Sequence, residues 1–245
     1  MKAFLEPLQS LEEVKRVEAQ LKKGAGIQMV SGCIDSQKPH FMFGIGNNFP
    51  VKIIVTFHEQ KARELLEEYR FFEKDAVYYP AKDILFYQSD LHGNVLARER
   101  ALALKAIAEQ SKITLITTYD ALMNRMQKPE KIFSAAAVYR VGDEVELEKL
   151  KKRLVAMGYE SVYQIEVPGQ FAVRGGIIDV FPLTEENPYR IELWGDEIDS
   201  LRSFDAESQR SIENLEEIKI YPAAELILTE QEDRKSTRLN SIICP

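Results

Sequence analysis

Gly169–Arg210 reads GQFAVRGGIIDVFPLTEENPYRIELWGDEIDSLRSFDAESQR, and its alternation sets the class of the second half of the chain. Ile177, Ile178, Val180 and Phe181 form a short apolar strand with a hard stop at Pro182. In Arg190–Trp194 (RIELW), Ile191 and Leu193 face one way while Arg190, Glu192 and Trp194 face the other. Gly195-Asp196 then supplies a two-residue hairpin turn. Glu197–Phe204 returns, and because Ile198 and Leu201 do not share parity, a bulge is expected in that strand. If Ile191 and Leu193 face the core, Arg190 and Trp194 share the outer face, and both are residue types that dominate interface hot spots. Pattern alone leaves a second reading open, in which Trp194 packs under a neighbouring loop and Arg190 pairs with Glu192 or Asp196.

The 245 residues are enough for one or two domains with a real core. No apolar run has transmembrane length, and MKAFLEPLQSLEEV at the N-terminus lacks the apolar segment of a signal peptide. Cys33 and Cys244, far apart and one near the end, give no disulfide framework and no metal spacing, so a cytoplasmic location is expected. The net charge of −7 is unevenly placed: Arg140–Lys219 has 10 basic and 18 acidic residues. An acidic second half argues against non-specific gripping of phosphate backbones and favours a protein partner with a basic surface.

Working back toward the N-terminus, the texture changes. Ser10 with Glu13 forms a capping box for an amphipathic helix carrying Leu11, Val14, Val17 and Leu21 and ending at Gly24. Ile27–Val30 is expected as a short strand, His40–Asn47 as a helix, and Val51–Phe57 as a strand of the buried parallel kind. A helix over His58–Phe72 presents Ala62, Leu65, Leu66 and Tyr69 on one face; a strand over Ala76–Tyr79, a long helix over Asn94–Gln110, a strand over Ile113–Thr117 and a helix over Tyr119–Met126 follow. Alternating strands and helices predict a parallel α/β sheet. Beyond Pro129, a strand over Ala135–Arg140 and a helix over Glu146–Met157 lead into the strand-rich segment. The expected division is an α/β domain over 1–132, a smaller α+β domain over 133–222, and the start of a return to the first domain over 223–231. Residues 232–245 (EDRKSTRLNSIICP) fit neither texture and read as a non-native tail.

One loop invites comparison with a phosphate-binding loop. Against the pattern GxxxxGK[ST], Gly32 and Lys38 match, Gln37 replaces the second glycine and Pro39 replaces the hydroxyl residue. Gln37 adds a side chain where backbone amides must approach phosphate, and Pro39 removes both the Mg²⁺-holding hydroxyl and an N–H donor. The loop is therefore expected to be inactive. His40, His58 and His92 have no ligand spacing with Cys33, and no nucleophile–base set is recognisable. Tyr78, Tyr79, Phe86 and Tyr87 have no basic stripe beside them, so packing is the expected role.

With those residues in view, the chain resembles the N-terminal, UvrB-like region of bacterial transcription-repair coupling factor (Mfd). The resemblance is carried by RGGIIDVFP (Arg174–Pro182), PYRIELWGDEIDSLRSFD (Pro188–Asp205) and SQRS (Ser208–Ser211), with support from VTFHEQKARELLEEYRFF, YPAKDILFYQSD and ITLITTYDALMNRM. The substitutions at Gln37 and Pro39 favour coupling factor over UvrB, whose phosphate loop is intact; the stretch from Tyr87 to the helix at Asn94 also leaves no room for UvrB's DNA-clamping hairpin. The resemblance implies a degenerate helicase-like (P-loop NTPase-like) α/β domain plus a UvrA-binding α+β domain. It implies UvrA as partner, with RNA polymerase, double-stranded DNA and an intramolecular contact to C-terminal domains for the parent protein. It implies no catalytic residue, metal or cofactor in this chain, ATP and Mg²⁺ belonging to the parent's motor domains. The positions it assigns to the UvrA contact are Arg174, Arg190 and Trp194, the last where relatives commonly have Phe. The competing assignment is a UvrB-like DNA-binding or ATP-binding excision-repair subunit.

Overall fold

The computed structural model describes residues 2–24, 26–82, 90–124 and 126–225. Phe86, Tyr87, the end of the return segment over 226–231 and the tail over 232–245 lie outside them. In chain order the helices are α1 (Lys2–Ser10), α2 (Glu12–Lys22), α3 (Lys38–Gly46), α4 (Glu59–Arg70), α5 (Asp90–Glu109), α6 (Tyr119–Met123), α7 (Pro129–Ser134) and α8 (Leu147–Ala156). The strands are β1 (Val51–Thr56), β2 (Val77–Tyr79), β3 (Ile113–Thr118), β4 (Ala137–Arg140), β5 (Glu160–Ser161), β6 (Gln170–Arg174), β7 (Ile177–Val180), β8 (Tyr189–Trp194), β9 (Glu197–Phe204), β10 (Ser211–Leu215) and β11 (Glu217–Ile220). The chain divides into two compact units, one of residues 1–82 and 109–124 and one of 83–108 and 125–245. No helix among the described residues is long and apolar enough to cross a membrane.

The first unit holds a parallel sheet in the order β1-β3-β2. The helical period places Ala62, Leu65, Leu66 and Tyr69 on one stripe of α4, and all four are buried with Phe43, Tyr78 and Ile116. His58 caps α4, its Nδ1 accepting from the Lys61 N–H at 3.3 Å. Three expectations need correction here. Ile27–Val30 is not a strand: it joins none of the sheets as a ladder, and Ile27 is 98% exposed. A short run with two β-branched residues forms a strand only where a sheet edge supplies its hydrogen bonds, and that supply is tertiary. Strand β1 is at the edge of its sheet rather than buried on both faces, so Val51, Ile53 and Val55 are exposed while Lys52 is buried against Glu73. The Ser10 capping box does not form, because α1 runs through Ser10, whose hydroxyl donates to the Pro7 carbonyl at 2.7 Å; α2 starts after Leu11 with no side-chain cap.

The second unit is built on a six-stranded sheet in the order β10-β9-β8-β7-β6-β5. It is antiparallel throughout except for the short β5–β6 pairing. Strands β4 and β11 pair antiparallel beside it. One face of the sheet carries Phe171, Ile178, Val180, Ile191, Ile198 and Leu201 onto Leu150 and Leu154 of α8, forming the main core. The expected bulge is present in β9: Glu192 pairs with Ser200 and Leu193 with Ile198, so Asp199 is the extra residue and both Ile198 and Leu201 reach the core. Helix α5 belongs to this unit, with Arg100, 3% exposed, donating to Glu225 and Lys105 pairing with Glu185 at 2.7 Å. The mixed α/β character, with one parallel sheet and one strand-rich region, matches the sequence-based expectation.

Helix α8 ends through Gly158 at φ +88°, where a Cβ would lie 2.5 Å from the Ala224 Cβ and 2.9 Å from its backbone nitrogen. Gly158→Ala combines a left-handed backbone with that clash. It should destabilise the protein by more than ~1 kcal/mol in chemical denaturation; an unchanged midpoint would contradict the packing at this corner.

Candidate functional site

The outer face of the six-stranded sheet is where the residues at 174, 190 and 194 meet. Side-chain alternation puts Ala172 and Arg174 of β6, Asp179 of β7, and Arg190, Glu192 and Trp194 of β8 on the face opposite the main core. Register aligns Ala172 with Asp179, Asp179 with Arg190 and Arg190 with Arg202, so charges of both signs stand in one cross-strand row. The RGG block shapes the end of this row. Arg174 and Ile177 close a hairpin through Gly175 at φ +62° and Gly176. A side chain at Gly176 would come within 2.9 Å of the Leu193 carbonyl, and the Leu193 N–H donates to the Gly176 carbonyl at 2.8 Å. Glycine there lets β8 approach, which brings the Arg174 hairpin beside the one that carries Trp194.

Asp179 organises the pair of arginines. Its side chain is 2% exposed, and it accepts from Arg174 Nη2 at 2.6 Å and from Arg190 Nε and Nη2 at 2.6 and 2.9 Å. These are charge-assisted bonds, and the Arg190 contact is bidentate. The hydrogen bond that Arg190 donates to Asp179 raises the Arg190 pKa further above its already high ordinary value. The Arg190 guanidinium also lies 4.2 Å from the Phe204 ring centroid and donates from Nη2 to the Gln209 Oε1 at 3.0 Å. Arg190 therefore pairs with Asp179 and Gln209 rather than with Glu192 or Asp196. Glu192 is taken by Arg202 and by the Ser200 hydroxyl, which donates at 2.8 Å. Burial pushes the Glu192 pKa up, and the Ser200 and Arg202 bonds more than reverse it, leaving it below its usual range.

Exposure separates the three residues. The Arg174 side chain is 40% exposed and the Arg190 side chain 15%. Trp194 is 83% exposed at the hairpin tip, followed by Gly195 at φ +65°, so it does not pack under a loop. An exposed indole on a rigid strand beside an arginine pair is a surface suited to an apolar pocket flanked by carboxylates. Asp179 and Gln209, the residues that fix Arg190, were not singled out from sequence. The available signal was the apolar run IIDVF, where an acid at a strand-interior position calls for a buried cationic partner.

The loop over Gly32–Pro39 has different geometry. Gly32 has φ +89° and the chain turns through residues 35–37 into α3, with Lys38 first and the buried Pro39 second. Lys38 Nζ pairs with Asp35 at 2.6 Å, and Lys61 lies 3.9 Å from the same carboxyl. The Asp35 bond raises the Lys38 pKa, and the reciprocal bond lowers that of Asp35. A cavity of about 380 Å³ lies against Gly32, Cys33 and Lys38. Its lysine already faces an acid, and the helix start lacks the N–H that Pro39 cannot provide.

Residues 138–226, which include this sheet, match the UvrB interaction domain family. The chain is 31% identical over 230 residues to the transcription-repair-coupling factor of Bacillus subtilis (strain 168), covering 92% of the chain and 19% of that protein. It resembles the N-terminal part of transcription-repair-coupling factor. The Staphylococcus aureus (strain bovine RF122 / ET3-1) factor is 37% identical over 163 residues, 66% of the chain and 14% of its own length. The S. aureus (strain Mu50 / ATCC 700699) factor shows the same identity over the same span. The chain thus spans about a fifth of the length of the Bacillus subtilis relative.

Asp179→Ala leaves two arginines on this face without their shared acceptor, and the protein should lose about 3 kcal/mol, at the low end for a broken buried pair because Arg174 is partly solvated. Urea midpoints would show it; a loss under ~1 kcal/mol would reject Asp179 as the organising group. For Glu192, a depressed folded pKa means its stabilisation is present above its ordinary value of 4.5 and is lost as pH falls through the lower folded value. Glu192→Gln should therefore flatten the decline of stability as pH falls from 4.5 through the folded value, measured as Tm against pH.

Proposed function

We propose that this chain is a UvrA-recruiting module acting in transcription-coupled nucleotide excision repair, as part of a longer coupling factor. In that factor an ATP-driven motor outside this chain displaces stalled RNA polymerase from double-stranded DNA. The 133–222 domain docks on UvrA, and the 1–132 domain is a degenerate helicase-like fold that neither binds ATP and Mg²⁺ productively nor hydrolyses nucleotide. The same module contacts C-terminal domains of the parent protein in its resting state. One observation carries the docking role: an 83% exposed Trp194 stands on the same sheet face as the Arg174–Asp179–Arg190 cluster, within the segment that matches the UvrB interaction domain.

The residues divide the work. Trp194 enters an apolar pocket of UvrA. Arg174, the more exposed arginine, gives charge-assisted hydrogen bonds to acidic groups of UvrA. Arg190 presents its remaining donors while holding the Asp179 charge inside the fold. The rival reading, an ATP-binding subunit, would use Lys38, and the Lys38–Asp35 pair together with Pro39 weighs against it. A DNA-binding role is disfavoured by the excess of acidic residues over Arg140–Lys219.

Titration of UvrA with the purified chain tests the assignment. Trp194→Ala should weaken binding by on the order of 2 kcal/mol with unchanged stability. Arg174→Ala should also weaken binding at little cost in stability, whereas Arg190→Ala should lower both, because it leaves Asp179 buried and partly unpaired. Parent-level affinity in the Trp194 and Arg174 variants together would reject the interface. Saturable ATP binding abolished by Lys38→Ala would favour the rival.

A further inference from the structure

Ser208–Ser211 (SQRS) carries part of the resemblance without contributing a group to the proposed interface. Gln209 has φ +59°, the one non-glycine residue with a positive φ among the described residues. Such a conformation persists only where the surroundings hold it. Here the Gln209 N–H donates to the Asp205 carbonyl at 2.8 Å, the Asp205 N–H donates to the Arg210 carbonyl at 2.9 Å, and the Ser208 N–H donates to the Asp205 carboxyl at 2.8 Å. The turn is therefore closed on itself by its own backbone and by Asp205.

If the turn alone mattered, glycine would adopt this φ without strain. The presence of glutamine is explained by its side chain. Its Nε2 donates to the Ala206 carbonyl at 2.8 Å, and its Oε1 accepts from Arg190 Nη2 at 3.0 Å. A carbonyl only accepts and a guanidinium only donates, so this is the one amide orientation that satisfies both. Arg190 is then held on three sides: Asp179 along one edge, Phe204 beneath its face, and Gln209 at Nη2.

We propose that Gln209 is a positioning residue of the docking surface. Acting through Arg190, it fixes the guanidinium plane so that the donors left over from Asp179 are offered, with those of Arg174, to a carboxylate of the partner in a single orientation. The proposal rests on the UvrA-docking reading and adds to it a residue that never touches UvrA. The strain at position 209 is the mark of that role, because glycine would close the same turn without strain and only the glutamine side chain adds the bond to Arg190. Preorganisation of this kind raises affinity by removing the ordering of a long side chain from the binding step.

The test separates affinity from stability. Gln209→Gly relieves the backbone and removes the brace, so the Tm should stay at or above that of the parent chain while UvrA affinity falls about tenfold, the equivalent of one hydrogen bond of ordinary net strength. Trp194→Ala is titrated in parallel. Undiminished UvrA binding by Gln209→Gly while Trp194→Ala loses affinity overturns the positioning role and leaves the docking reading standing. A Tm that falls in step with affinity also overturns it, since Gln209 would then only support the fold. Parent-level binding by both variants overturns the docking reading and this proposal together.

Discussion

A carboxylate buried on the polar side of a sheet has to be answered by positive charge, and Asp179 is answered twice. Its side chain is 2% exposed and holds both Arg174 and Arg190. An isolated carboxylate at that depth would be strongly disfavoured. The pairing removes the penalty and, in doing so, ties together two arginines from β6 and β8 on either side of β7. The geometry of the whole outer face follows: Arg190 is laid flat on Phe204, Gln209 is drawn in from the turn after β9, and the Arg174 hairpin is fixed beside the one that ends in Trp194.

The opposite face of the same strands explains why this arrangement is stiff. Ile178, Ile191 and Leu201 alternate with Asp179, Arg190 and Arg202 and are buried against α8. Any slip of β8 by one residue would turn the arginine inward and the isoleucine outward, so the core sets the register of the charged row. The bulge at Asp199 has a related effect. It keeps both Ile198 and Leu201 in the core despite their mismatched parity, and the tight turn at Gly195 then leaves Trp194 at the tip. The charged outer face and the hydrophobic core are two sides of one constraint.

The first unit shows the contrast. Its phosphate-loop-like segment is not preceded by a strand, its lysine faces Asp35, and the edge strand β1 exposes Val51 and Ile53. A working nucleotide site needs free amide donors and an uncommitted cation at the helix start. Here Lys38 is paired with Asp35, and Pro39 supplies no N–H. The proposed division of labour, with docking in the second unit and no chemistry in the first, agrees with that difference in local chemistry.

How much of this was legible beforehand differs by residue. Period-2 alternation in RIELW placed Ile191 and Leu193 inward and Trp194 outward, the mismatch of Ile198 and Leu201 announced the bulge, and the helical stripe from Ala62 to Tyr69 was recovered in full. These are properties of neighbours along the chain, so sequence alone determined them. The failures at Ile27–Val30 and at the burial of β1 share a cause: strand pairing and edge position depend on which distant segments are adjacent, whereas at Ser10 a local competitor won, the hydroxyl bonding back to Pro7 within α1. The partners of Arg190 lie 11 and 19 residues away on other elements, and only the folded sheet chose Asp179 and Gln209 over the nearer Glu192 and Asp196. Local periodicity settled which way each side chain points; tertiary structure decided what it meets there, because the energy of a charge pair depends on burial and distance, and neither is written in the order of residues.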